Sequence, residues 1–223
     1  MPVVLGRRTT PGTGVPVVLL HGLGDTAATW DGFAAALARP TIALDLRGHG
    51  TSPRPGEYTV DAMASDVLAA LDGVVDLVGH SMGGRVASTV ALREPGLVRR
   101  LVLEDSPVPP RSGPPLPDAD PPTRPDEPID FDWAVVPAMR RAVRATDPAW
   151  WQGISRLDVP TLLLSGGPAS HFDPSQVAAA AAVMPNATMR TIPVGHLIHA
   201  DAPGAFADVV VPFLSADGEP AMP

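Results

Sequence analysis

The chain has 223 residues, 45% of them hydrophobic, and a formal net charge of −8. That is enough apolar material for one domain with a sizeable core, and the acidic balance argues against nucleic acid, whose phosphates need a basic surface. All 16 basic residues are arginine and there is no cysteine, which excludes disulfides, thiolate catalysis, cysteine-held metals and Schiff-base chemistry.

Apolar runs and helical patterns alternate along the chain. Residues 15–20 form a strand-like run ending at His21-Gly22. Residues 26–38 have helical spacing, with Trp30, Phe33 and Leu37 on one face. Residues 41–46 read as the next strand, closed by Arg47-Gly48-His49-Gly50. Residues 60–71 read as a helix, 74–78 as a strand, 82–92 as a helix and 97–103 as a strand. Two more strands, 161–164 and 188–192, flank an alanine-rich helix around 175–183, and a last helix covers about 203–214. The pattern predicts an α/β fold: a mostly parallel central sheet with helices on both faces. Continuously apolar strands fit burial on both sides.

Residues 107–157 break this rhythm. The part from 107 to 128 is too rich in proline for a regular helix or a central strand. The part from 129 to 151 carries a helical stretch with Trp133, Trp150 and Trp151. The expected plan is a core of residues 1–106 and 158–214, a small cap insertion of residues 107–157 over the carboxyl edge of the sheet, and a frayed tail of residues 215–223. No apolar run approaches the roughly 20 residues that span a membrane. The first six residues lack the charged-then-apolar pattern of a signal peptide. A soluble cytoplasmic protein is therefore expected, with no membrane and no nucleic acid among its partners.

Ligands of open α/β sheets sit beyond the carboxyl ends of the strands, and the reactive residue types fall there repeatedly. His21-Gly22-Leu23-Gly24 ends the first clear strand, Glu104-Asp105 the fourth and Gly195-His196 the last. Gly79-His80-Ser81-Met82-Gly83 follows the third and has the G-x-S-x-G form of a nucleophile elbow. Its glycines let the strand and helix backbones approach, so the serine hydroxyl stands clear of the chain.

Together with the Asp45-Leu46-Arg47-Gly48-His49-Gly50 loop, these segments resemble the α/β-hydrolase fold family, over about residues 15–214. The resemblance implies that Ser81 is the nucleophile and His196 its general base, with an aspartate orienting the imidazole. It also implies an oxyanion hole of the Leu23 and Met82 backbone N–H groups, each such donor being worth about 3 kcal/mol. The implied activity is that of a carboxylesterase-like serine hydrolase, working without cofactor or metal on a small-molecule ester or acyl substrate as a monomer or homodimer. Carbon–carbon, thioester or lactone hydrolysis, or a catalytically weak binding role, are the alternatives on the same fold. Only about fourteen residues precede the first clear strand, so the sheet is expected to lack one or both early strands of the family.

The acid is where the chain departs from the family pattern. After the penultimate strand the loop reads Ser165-Gly166-Gly167-Pro168-Ala169-Ser170-His171-Phe172-Asp173, with His171 where the aspartate belongs. Asp105, after the strand that follows the nucleophile helix, is the favoured acid; Asp173 and the lack of any working acid stay open. Trp133, Trp150 and Trp151 are candidates to line an acyl pocket or to glue the cap to the sheet. His21, His49 and His80 are expected to brace loops, and His199 to pack. Asp45 and Arg47 read as a loop pair, and Arg140, Arg141 and Arg144 as a solvated helix face or a site for an acidic substrate.

Overall fold

The computed structural model describes residues 1–118, 120 and 122–216. In chain order the elements are β1 (Arg7–Thr10), β2 (Val17–Leu20), α1 (Asp31–Ala36), β3 (Thr41–Leu44), α2 (Val60–Ala70), β4 (Val75–His80), α3 (Met82–Arg93), β5 (Val98–Glu104), α4 (Val135–Arg144), α5 (Pro148–Ile154), β6 (Thr161–Ser165), α6 (Pro174–Val183), β7 (Ala187–Thr191), α7 (Ile198–Asp201) and α8 (Pro203–Ser215). The strands form one seven-stranded sheet in the order β1-β3-β2-β4-β5-β6-β7. Every pair is parallel except β1 with β3.

Two cores flank the sheet, and the pleat sorts the side chains between them. Val18 and Leu20 of β2 and Leu101 and Leu103 of β5 enter one core, with Met63 and Val67 of α2, Val86 and Val90 of α3 and Val177 of α6. Their strand neighbours Val17, Leu19 and Val102 enter the other, with Phe33 of α1 and Phe206, Val210 and Leu214 of α8. Strands buried on both faces carry no polar alternation, which is why they read as unbroken apolar runs.

Three stretches depart from the sequence-based expectation. β1 is mostly exposed and reads Arg-Arg-Thr-Thr; it has no apolar face to signal it, and its pairing with β3 makes it a strand at the sheet edge. Residues 26–38 split into a 3-10 turn, Ala27–Trp30, and the short α1, which stops at Ala36 shortly before Pro40. Between β5 and β6 the chain makes a long excursion that holds α4 and α5. α5 lies against α3 and α6 and puts Trp150, Trp151 and Ile154 into the same core as Val86 and Val90. Of the residues expected to form a tail, Ser215 ends α8, and 217–223 lie outside the described residues. Among the described residues no helix is long and apolar enough to cross a membrane.

Candidate active site

The turn from β4 into α3 is built by close backbone approach. A Cβ on Gly79 would lie 2.4 Å from the Gly83 carbonyl oxygen, and one on Gly83 would lie 2.4 Å from the Leu20 carbonyl oxygen. No side chain fits at either place. Between them Ser81 adopts φ 51° and ψ −118°, a sparsely populated conformation that costs on the order of 1–3 kcal/mol and persists only when its surroundings enforce it. Three bonds enforce it: Ser81 N donates to Glu104 O at 2.9 Å, and Ser81 O accepts from Gly84 N and Arg85 N at 3.0 and 3.1 Å. Met82 is the first residue of α3, so its N–H belongs to those that a helix leaves without an intrahelical acceptor.

Asp105 follows β5 directly and also has positive φ, 39°. Its buried carboxylate collects three donors. Oδ1 accepts from Gly166 N at 2.8 Å, and Oδ2 accepts from Ser170 Oγ at 2.5 Å and from His196 Nδ1 at 2.6 Å. Burial pushes this carboxyl up, but the bonds from His196, Ser170 and Gly166 together hold it below its ordinary value. A carboxylate only accepts, so the imidazole carries its proton on Nδ1 and keeps Nε2 as an acceptor. His196 is held from below as well: His80 Nε2 donates to its carbonyl at 3.0 Å.

Ser81, Met82, Leu23 and His196 line one cavity of about 730 Å³, with Val108 and Met139 among its apolar walls. No direct hydrogen bond joins the Ser81 hydroxyl to the His196 ring among the described residues. Such contacts are often loose without substrate. Asp173 also reaches the cavity, but its Oδ1 accepts from Ser175 N at 2.8 Å and caps α6. Those bonds hold the exposed Asp173 carboxyl below its ordinary value. His171 lies beside the base, its ring tilted by 47° and its centroid 3.9 Å from that of His196. Burial, and next the neighbouring His196, lower its pKa.

The remaining histidines are structural. His21 Nδ1 donates to Gly22 O at 2.7 Å while Nε2 accepts from Leu46 N at 3.0 Å. His49 Nδ1 donates to Arg47 O and its Nε2 accepts from Gly24 N, both at 3.2 Å. Each ring is needed neutral. Burial, then the neighbouring His49, pulls His21 down to about 3, and burial lowers His49. His80 falls well below its ordinary value through burial and the nearby His196 and His199. His199 stacks on Trp30, its ring centroid 4.2 Å away, and its Nδ1 lies 2.9 Å from Glu104 Oε1. Burial raises the Glu104 carboxyl and His199 counters it.

Other expectations need correction. Trp150 and Trp151 do not line the cavity of Ser81, and neither does Trp133. Asp147 and Pro148 start α5 so that both buried indoles turn inward, where Trp150 Nε1 donates to Ser88 Oγ at 3.1 Å and Trp151 Nε1 to Pro109 O at 2.9 Å. The half-buried Trp133 lies instead beside Phe131. Asp45 and Arg47 do not pair with each other. Asp45 accepts from Ala27 N and from the Thr51 N–H and hydroxyl. Arg47 forms a two-pronged pair with Asp66. Arg140 and Arg144 are three-quarters buried rather than solvated, share Asp118 and line the cavity. Ser170, the second hydrogen-bond donor to Asp105 Oδ2, had no signal in the sequence. Nor did Arg85, a buried arginine on the same cavity. No group of three or more histidine, cysteine or acidic residues is placed to hold a metal ion among the described residues.

The family model described as the alpha/beta hydrolase family matches residues 17–209. A segment of the chain is 47% identical over 105 residues to the sn-1-specific diacylglycerol lipase ABHD11 of Xenopus laevis, covering 43% of this chain and 34% of that protein. The chain thus spans about a third of the length of that relative. The Mus musculus protein of the same name is 29% identical over 89% of this chain and 80% of its own length. Among solved structures, a hydrolase from Pseudomonas aeruginosa superposes with TM-score 0.80 at 26% identity, covering 96% of this chain and 95% of that one.

Proposed function

The chain belongs to the alpha/beta hydrolase family, and we propose that it is a serine hydrolase cleaving a carboxylic ester through an acyl-serine intermediate. The observation that carries this reading is the 2.6 Å bond from His196 Nδ1 to the buried Asp105, on the cavity that Ser81 also lines. His196 Nε2 takes the hydroxyl proton as Ser81 Oγ attacks the carbonyl carbon. The Leu23 and Met82 N–H groups receive the negative charge on the oxygen. The tetrahedral species collapses, the ester C–O bond breaks, and His196 returns the proton to the departing alkoxide. Water then attacks the acyl-serine with the same base, releasing the carboxylic acid and restoring Ser81. Asp105 steadies the imidazolium in both halves. The excursion between β5 and β6 acts as a cap: its Leu116, Met139 and Val143 face the same cavity.

The relatives named as diacylglycerol lipases support an acyl ester as the bond cleaved. We place the enzyme in the cytoplasm, as a monomer or homodimer acting on a small molecule. The test is labelling with a fluorophosphonate, followed by turnover of p-nitrophenyl esters of increasing chain length. The wild type is expected to take label and Ser81→Ala to take none. An unlabelled wild type, or equal label on Ser81→Ala, overturns the reading. Label without turnover of any ester redirects it to a thioester, lactone or carbon–carbon bond.

A further inference from the structure

Arg85 lies four residues after Ser81, in the first turn of α3, and both line the cavity. The Arg85 side chain is only 9% exposed. A guanidinium is a permanent cation with five N–H donors. Among the described residues this one makes a single side-chain hydrogen bond, from Nη2 to Asp147 Oδ2. Its carbon also sits 5.0 Å from the centroid of the Trp150 ring. Nη1 is buried and meets no acceptor. Burial pulls the group below its ordinary value, and Asp147 restores only part of that loss. Proteins seldom keep a buried cation so thinly bonded, because the unmet donors cost free energy.

The charges around it point the same way. Arg140 and Arg144, on α4, line the same cavity and share one carboxylate, Asp118. The acids that reach the site are engaged: Asp105 by His196, Ser170 and Gly166, and Asp173 by the cap of α6. An anionic group entering beside Ser81 meets arginine on two walls.

We propose that the acyl substrate carries a second, free carboxylate a few bonds from the scissile carbonyl, and that Arg85 receives it. This rests on the serine-hydrolase reading and narrows its substrate class. Nη2 holds Asp147 and Nη1 has no open surface, so the guanidinium turns from Asp147 to give a carboxylate its planar fork of two parallel bonds. Arg140 and Arg144 favour entry of the anion, and the apolar walls hold the methylene chain between its two ends.

The experiment is protection of Ser81 from a fluorophosphonate by straight-chain acids of four to eight carbons. Each dicarboxylate is compared with the monocarboxylate of equal length, such as adipate with hexanoate. The best dicarboxylate is expected to protect at a concentration at least tenfold lower than its partner. Arg85→Gln should shrink that preference below threefold. Asp147→Asn keeps the cap of α5 but releases the guanidinium, so it should enlarge the preference. If Arg85→Gln does not fold, Asp147→Asn decides. Arginine that only anchors Asp147 and Trp150 predicts no rise. Equal protection by both acid series in the wild type, including none by either, overturns the inference, as does an unchanged preference in a folded Arg85→Gln. A wild type that takes no label overturns the serine-hydrolase reading and this inference with it. A labelled protein without the preference overturns this inference alone.

Discussion

His196 Nδ1 and Asp105 Oδ2 stand 2.6 Å apart, and they come from loops 91 residues apart in sequence. The loop after β6, which carries His171 and Asp173, adds Ser170 Oγ and Gly166 N to the same carboxylate. On the proposed reading the acid sits at the neighbouring strand end, and the loop after β6 supplies hydrogen bonds that hold it. A short charge-assisted bond of this kind fixes the tautomer of the base and stabilises its protonated form.

Asp105→Asn should therefore lower the rate of Ser81 acylation by about 10³–10⁴-fold, because an amide holds the wrong tautomer. Asp173→Asn keeps an N-cap and should change the rate less than about threefold. Labelling kinetics on both variants, with a thermal melt to confirm folding, measure this. The opposite ranking would move the acid to Asp173.

The strain at Ser81 predicts a trade between stability and reactivity. Glycine adopts φ 51° without penalty. Ser81→Gly should take no fluorophosphonate and unfold at higher urea, stabilised by about 1 kcal/mol after glycine's greater chain entropy is subtracted. A variant no more stable than the wild type would mean that the turn is relaxed as it stands.

Glu104 is fully buried, and it accepts from the His199 N–H at 2.8 Å as well as meeting the ring. Removing it leaves both groups without their acceptor behind the active site. Glu104→Ala should cost about 3–5 kcal/mol, as broken buried pairs do. Chemical denaturation reads this directly; a loss below about 1 kcal/mol would remove Glu104 from the framework of the site.

Acid should destabilise the fold well above the carboxylate range. His21, His49 and His80 all have lowered values in the folded chain, His21 at about 3. Below pH 6.5 the unfolded chain binds protons that the folded one refuses, so stability falls as pH falls through that range towards 3. At pH 5 His21 alone accounts for about 2 kcal/mol. Glu104 and Asp25, raised by burial, act in the opposite sense, while the lowered His171 adds to the three rings. Urea midpoints at pH 7 and pH 5 test the sign; equal midpoints would mean that these rings protonate inside the fold.

Much of this architecture is written locally. A buried parallel strand announces itself by an unbroken apolar run, and an elbow by glycines spaced around a serine. Both signals need only a few adjacent residues, so the buried strands, most of the longer helices and the elbow at Ser81 were legible from the chain, while the short α7 was not. β1 was not, since an exposed edge strand is specified by its partner rather than by its own Arg-Arg-Thr-Thr. The tryptophans left two roles open, pocket wall or glue, for a related reason: composition marks them as large and apolar, while the direction of Trp150 and Trp151 is set by where each indole N–H finds Ser88 or Pro109. Which carboxylate faces His196 is a distance between loops at the ends of different strands, and which guanidinium keeps a buried, unpaired nitrogen is set by how α3 packs on α5. That distance depends on strand order and register across β5, β6 and β7. Local sequence sets each element and its chemistry, and only packing sets what each side chain meets.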